Sequence, residues 1–290
     1  MATAKPVRIT SSYPKMSGVY LVVDQNYLRD PKFEHLLAAT ANTRIVLPDL
    51  AMFEMAKPDE RELSIRLSLA TLARYAHRVF VSRPIAECLR HELERVQPVA
   101  GHMLFREATQ FLRQVLQAVA TGVTNAAFER VIHDPEDHLF DLKRDYLDHD
   151  SNKCRSLELV EATKLEMSAE FARRVRGNQA TREQKIAFVR EKAPSLLLNV
   201  LQENNFSRAR AVNLIRRKPM LLRYFYANLW ACLTWEEQGR LEGLGSKKVS
   251  NDLLDREYVL SATFFDGVLS RDGRVNEAYA VVAQILKSKV

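Results

Sequence analysis

The residues of this chain best suited to chemistry are carboxylates placed at the ends of short apolar runs. Val19-Tyr20-Leu21-Val22-Val23 breaks onto Asp24, and Gly267-Val268-Leu269-Ser270 breaks onto Arg271-Asp272. A short apolar run bounded by polar residues reads as a buried strand, here with an acid at its carboxyl end. Open α/β sheets bind their ligands just outside those ends. Two such acids, near opposite ends of a 290-residue chain, predict one shared site, most simply for a metal ion.

Further acids are carried to the same edge. Arg44-Ile45-Val46-Leu47 is a second apolar run closed by Pro48, and Asp49 is placed to cap a helix Leu50–Lys57 bearing Glu54. A helix over Asp252–Phe265 precedes the strand Val268–Ser270 and runs antiparallel to it, so its amino end lies near Asp272. Asp252 and Asp255 share a face of its first turns. Asp266 is 11 residues beyond Asp255. At 1.5 Å per residue it lies roughly 16 Å away, at the opposite edge of the sheet. Asp24, Glu54, Asp255 and Asp272, with Asp252 as a fifth, can therefore converge.

Crowded carboxylates repel one another and lose hydration unless a cation compensates. Ligands that are all oxygen favour Mg²⁺ or Mn²⁺ over zinc. Such ions activate a water and stabilise the charge that develops in phosphodiester cleavage. The competing reading is that these acids are helix caps and solvated strand ends. Asp252, beside the expected helix start, fits that reading well.

The elements that must position these acids follow from the hydrophobic pattern. Strands over residues 19–24, 44–47 and 78–81 alternate with helices over Pro31–Ala39, Leu50–Lys57 and Glu60–His77, which argues for a parallel sheet. Pro84 opens the next helix. From about Glu92 to Leu244 the periodicity is helical throughout: His102–Ala120, Ala126–Ile132, Glu136–Tyr146, Arg155–Arg176, Arg182–Lys192, Ser195–Gln202, Ser207–Arg216 and Pro219–Arg240. Asp134-Pro135, Gly177-Asn178 and Ala193-Pro194 mark the turns. The strand at 268–270 and a helix Asn276–Leu286 end the chain. The expected fold is α/β, a central parallel sheet flanked by helices with a large all-helical insertion. Residues 1–91 and 246–290 form the sheet domain, and residues 92–245 the insertion.

Composition narrows the class. With 47% hydrophobic and 27% charged residues the chain is globular. Cys88, Cys154 and Cys232 are far apart and form no CxxC pair, so neither a zinc ribbon nor a disulfide framework is expected. No signal peptide and no run of about 18 apolar residues is present, which points to a cytoplasmic protein without a membrane span. The net charge of +7 is unevenly spread. Residues 171–226 hold 13 Lys/Arg against three Glu, a window of +10 on a body of −3. Such a patch is a footprint for a polyanion. Within it Arg208, Arg210, Arg216, Arg217, Lys218 and Arg223 interleave with Phe206, Tyr224, Phe225 and Tyr226, the mix that binds nucleic acid by neutralising phosphates and stacking bases. The alternative is a solvated helix face over core aromatics, and for Phe225 and Trp230 core burial is the better expectation.

The acidic residues carry a family resemblance. Val22-Val23-Asp24-Gln25-Asn26-Tyr27-Leu28 resembles the first motif of PIN-domain nucleases, an apolar strand entering Asp-x-Asn-x-Leu. Leu47-Pro48-Asp49 through Phe53-Glu54 is similar to the second. Asp255 through Ala262 to Leu269-Ser270-Arg271-Asp272 is similar to the third and fourth. The likeness covers about residues 17–90 and 246–290, and it lies in the order of the four motifs rather than in any one of them. It implies a metal-dependent nuclease, most simply an endoribonuclease using Mg²⁺ or Mn²⁺, with Asp24, Glu54, Asp255 and Asp272 as the acidic site. Ser270 would supply the hydroxyl beside that site, and Asn26 would support Asp24. The third acid is Asp252 or Asp255, with Asp255 favoured by its spacing to Asp272. RNA is the implied partner and DNA the alternative; a regulatory protein or antitoxin, a homo-oligomer and a toxin or defence role are compatible with the resemblance. Compact members of the family lack anything like residues 92–244, so substrate and role do not carry over.

The remaining motifs are weaker. His133-Asp134, His138 and His149-Asp150 could form an HD-type metal site, but they lie among Glu136, Asp137, Asp141 and Asp145 and read better as a solvated helix. Gly243-Leu244-Gly245 is not a P-loop, and neither HExxH nor GxSxG occurs. A binding protein is the alternative class: a PIN-like module whose helical insertion docks a nucleic acid or protein while the acids stay uncatalytic.

Overall fold

The computed structural model describes residues 17–56, 60–133, 148–239 and 241–288. Its centre is a four-stranded sheet: β1 Val19–Val23, β2 Thr43–Leu47, β3 Val79–Val81 and β4 Gly267–Leu269. The strand order is β3-β2-β1-β4 and every pairing is parallel. Parallel sheets need cover on both faces, which is why the strands are almost wholly apolar. Tyr20, Val22, Ile45, Val46, Leu47 and Phe80 are fully buried. Gly18 enters β1 at φ +141, where a Cβ would stand 2.5 Å from the Asn42 carbonyl oxygen. Only glycine fits there.

β1 ends in a single 3₁₀ turn, Gln25–Tyr27. α1 Pro31–Ala39 returns to β2, and α2 Asp49–Ala56 and α3 Arg61–Ala73 return to β3. α4 Ile85–Arg95 follows. Then come α5 Arg106–Thr121, α6 Ala126–His133, α7 His149–Leu165, α8 Ala169–Arg176, α9 Arg182–Glu203, α10 Arg208–Arg216 and α11 Met220–Glu237. α12 Ser246–Ala262 leads into β4, and α13 Gly273–Lys287 closes the described chain. Among the described residues no helix is long and apolar enough to cross a membrane. All three cysteines are free thiols.

Most of the described helices between β3 and β4 share the sheet's core, while Val160 of α7 packs with Cys232, Trp235 and Val249 in a second, smaller cluster. One continuous cluster of buried side chains runs from Tyr20 and Phe80 through Leu197, Leu222 and Tyr226 to Tyr258 and Ile285. A fully buried carboxylate ties the two parts together. Glu92 on α4 accepts the amides of Met220 and Leu221 at 2.9 and 2.8 Å, and of Val99 at 2.9 Å. It thereby satisfies open N–H groups at the start of α11 from another helix.

Several boundaries differ from the sequence reading. The Ala193-Pro194 break is absent: α9 runs through Pro194 as one 22-residue helix. Ile186, Val189, Ala193, Leu197 and Leu201 keep one buried stripe against α11 on both sides of the proline. That burial offsets the ~3 kcal/mol an interior proline costs. The expected helix Arg155–Arg176 is two helices, because Ser168 accepts the amide of Phe171 and caps a new start. α12 begins at Ser246, six residues before Asp252, with Val249, Leu253 and Leu254 buried along it. The helix expected over Glu136–Tyr146 lies outside the described residues.

Candidate active site

Asp24 sits just past β1 and is 3% exposed. Its backbone N–H donates to the Leu269 carbonyl at 2.9 Å, which sets the end of β1 beside the end of β4. Both carboxylate oxygens have donors. Oδ1 accepts the amide of Asn26 at 3.2 Å, and Oδ2 accepts Asn26 Nδ2 at 2.7 Å and Ser270 Oγ at 2.5 Å. The same Asn26 side chain accepts the Arg271 amide through Oδ1 at 3.0 Å. Asn26 and Ser270 are thus the clamp that joins the two strand ends. Burial pushes the Asp24 carboxyl above its ordinary value; the hydrogen bonds from Ser270 and Asn26 oppose this, and the Asp272 charge adds to it.

Asp272 caps α13 by accepting the Arg274 amide at 2.7 Å, and its own amide donates to Ser270 Oγ at 3.0 Å. The partial burial of Asp272 works against its charge. The Arg274 amide and guanidinium outweigh that and hold its carboxyl below the ordinary range. Asn276, one turn into α13, donates Nδ2 to the carbonyls of Ser270 and Asp272, both at 3.0 Å, and fixes the turn that presents them.

α12 supplies two acids one turn apart. Asp252 accepts the Trp235 indole N–H at 2.9 Å and Arg274 Nη1 at 3.0 Å. It lies in the second turn of α12, so the helix-cap role expected for it is not realised; the cap among these acids is Asp272. Asp255 is half-buried on the next turn. Burial pushes its carboxyl up to about 7, with added repulsion from Asp24, Asp272, Asp252 and Glu54. Asp255 therefore feels the other four acids, which come with it from four separate elements. Glu54, on α2, accepts the phenol of Tyr258 at 2.6 Å. Tyr258 is buried, also receives the Gln25 amide at 3.4 Å, and sits three residues after Asp255 on the same helix.

Asp266 lies at the other edge, as its distance along the helix implies, accepting the Tyr20 amide at 2.7 Å. Asp252 and Asp255 border a cleft of about 160 Å³ between the insertion and the last two helices. Its walls include Trp230, Trp235, Asp252, Asp255, Arg256 and Arg274. Tyr258, Arg274, Trp235 and Asn276 were not legible as site residues. Only spacing hinted at them: Tyr258 falls one turn from Asp255, and Arg274 and Asn276 fall two and four residues after Asp272.

The donor set is all oxygen and suits a hard divalent ion. Yet among the described residues no group of three His, Cys, Asp or Glu side chains forms a ready-made metal site. The physical reason is visible in the partners: Asp24, Glu54, Asp252 and Asp272 each face a protein donor. The chemistry of the donor set fits a metal, and the charged donor on Asp252 and Asp272, Arg274, would have to give way to it.

The basic window divides. Arg208, Arg210, Arg216 and Arg217 are exposed on and just after α10. Arg223 and Lys218 are spent on structure. Arg223 donates to the carbonyls of Lys218 and Thr263 and lies 3.7 Å over the Phe264 ring. Lys218 donates to the carbonyls of Leu286 and Ser288. Phe206, Tyr224 and Phe225 pack partly buried against the core, and Tyr226 and Trp230 are buried. Of the histidine cluster, His133 pairs with Glu129 at 3.1 Å and His149 Nδ1 lies 2.9 Å from Ser250 Oγ. His138 and its acidic neighbours at 134–147 lie outside the described residues.

The fold and the site define an α/β protein with an acidic cluster at the carboxyl edge of a parallel sheet. Comparison of the chain with protein-family models, with curated proteins and with solved structures finds no match.

Proposed function

We propose that this protein is a metal-dependent nuclease of PIN-like type, hydrolysing phosphodiester bonds in RNA. One observation carries the reading: carboxylates from four separate elements are brought to the strand ends, where burial of Asp255, with repulsion from Asp24, Asp272, Asp252 and Glu54 added, pushes its carboxyl up to about 7. A cluster held against its own repulsion is suited to a cation. Asp24, Glu54, Asp255 and Asp272 would hold Mg²⁺ or Mn²⁺, with Asp252 as a fifth ligand. When bound, such an ion supplies an activated water and a counter-charge for the phosphate. The chain's own contribution is placement. Asn26 and Ser270 fix Asp24, Tyr258 fixes Glu54, and Asn276 fixes the turn before Asp272. Arg256 and Arg274 line the cleft on the side of the acids.

The test is direct. Purified protein with Mg²⁺ or Mn²⁺ should cleave a single-stranded or structured RNA, EDTA should stop it, and Asp24→Asn should slow it by about 100-fold or more. Parallel assays on single-stranded DNA decide the choice of nucleic acid. A second reading is supported by the donors that four of the acids already face: a module in which the cluster is structural and the insertion docks a partner. Cleavage indifferent to EDTA and to Asp24→Asn would favour it.

A further inference from the structure

We propose that Arg274 is the resident counter-cation of the acidic site, held by Asp252 and Asp272 until a divalent cation takes those carboxylates. This rests on the metal-dependent reading above. Arg274 Nη1 stands 3.0 Å from Asp252 Oδ1 and Nη2 stands 3.3 Å from Asp272 Oδ2. One guanidinium therefore ties α12 to the cap of α13. Its position is otherwise unfavourable. Arg274 is the second residue of α13, where the helix dipole presents positive charge and disfavours a cation. The acids it faces reverse that balance.

The partners of the other acids differ in kind. Asp24 is held by the neutral donors of Asn26 and Ser270, and Glu54 accepts the Tyr258 phenol. Neutral hydrogen bonds can persist beside an ion bound to the same carboxylate, since each oxygen has more than one acceptor position. Asp252 and Asp272 instead carry a full positive charge beside them. A divalent ion arriving there meets repulsion from the guanidinium and competes with it for the same oxygens. The arginine also has somewhere to go. Its side chain is 45% exposed and lines the cleft with Lys185 and Arg256. Released from the acids, its planar fork is shaped for a phosphate oxygen pair on the side where an anionic substrate would lie. The exchange would place a metal among the acids and a free guanidinium next to the substrate in one step.

The experiment is a calorimetric titration of the full chain with Mn²⁺ alone, at fixed pH and ionic strength, for wild type, Arg274→Gln and Arg274→Lys. Removing the competing charge should tighten Mn²⁺ binding about 10-fold in Arg274→Gln, within the range usual for coupled sites. Arg274→Lys keeps the charge but not the fork and should fall between the two. Should Arg274→Gln not fold, the lysine variant decides alone: tighter binding than wild type upholds the exchange. Mn²⁺ affinity that is unchanged or weaker in the variants overturns the exchange and leaves the metal site standing. No Mn²⁺ binding by wild type or variants overturns both.

Discussion

The two edges of the sheet use charge in opposite ways. At the amino edge four charged groups near the core are matched to the backbone: Asp266 to the Tyr20 amide, Arg223 to the Thr263 carbonyl, Lys218 to the end of α13, Glu92 to the start of α11. At the carboxyl edge Asp255 is instead buried beside four other carboxylates, whose like charges add to its raised proton affinity. α11 and α13 span from one edge to the other. The 14 residues from Asp272 to Leu286 cover roughly 21 Å at 1.5 Å per residue. Charges spent on backbone groups stabilise a fold. Charges pooled against each other cost stability and are expected where a ligand repays it.

The contrast should break most sharply at Glu92. Glu92→Ala leaves three buried amides without their acceptor and should lower unfolding free energy by roughly 3 kcal/mol or more, read from the denaturant midpoint. Asp255→Asn, an acid removed from the other edge, should leave stability at pH 7 unchanged or higher. A large loss there would mean that the carboxyl-edge acids are structural after all.

The pH dependence of stability sharpens the same point. Asp255 is raised to about 7 in the folded chain, while unfolded it should titrate near ~3.9. Between those values the folded state keeps a proton the unfolded state releases, so this group's contribution is present at low pH and is lost as pH rises from about 4 to about 7. The shifts of Asp24 and Glu92 have the same sign. Asp272, shifted down by Arg274, works the other way and loses its contribution only in acid. Thermal melts in EDTA should therefore fall between pH 5 and pH 8, and Asp255→Asn should remove part of that slope. Smaller still, Arg223→Ala should cost about 1–2 kcal/mol by freeing the Lys218 and Thr263 carbonyls. Changing Arg208, Arg210, Arg216 and Arg217 to Gln should stay within about 0.5 kcal/mol each. If α10 grips nucleic acid, that quadruple variant should also flatten the salt dependence of RNA binding by up to about four phosphate contacts.

The strands were legible because a buried parallel sheet writes itself as β-branched runs, and their ends gave Asp24 and Asp272. Asp255, Glu54 and the exclusion of Asp266 followed from helix geometry. What spacing could not reveal is which donors the tertiary fold delivers. Tyr258 reaches Glu54 across 204 residues, and Trp235 reaches Asp252 from a helix of the insertion. Nor does charge alone tell an exposed arginine from one bound to carbonyls: Arg217 and Lys218 are neighbours with different work. Pro194 misled because a proline's local cost is visible in sequence, whereas the buried stripe that offsets it is visible only in the packed helix.

A claim that the carboxyl-edge acids are pooled for a cation is also a claim about stability, read by thermal melting with and without Mn²⁺. Wild type at 100 times the dissociation constant should gain about 2.7 kcal/mol over the EDTA form. Asp24→Asn should lose most of that gain while being no less stable than wild type in EDTA. Identical melting curves for wild type in Mn²⁺ and in EDTA would contradict the claim.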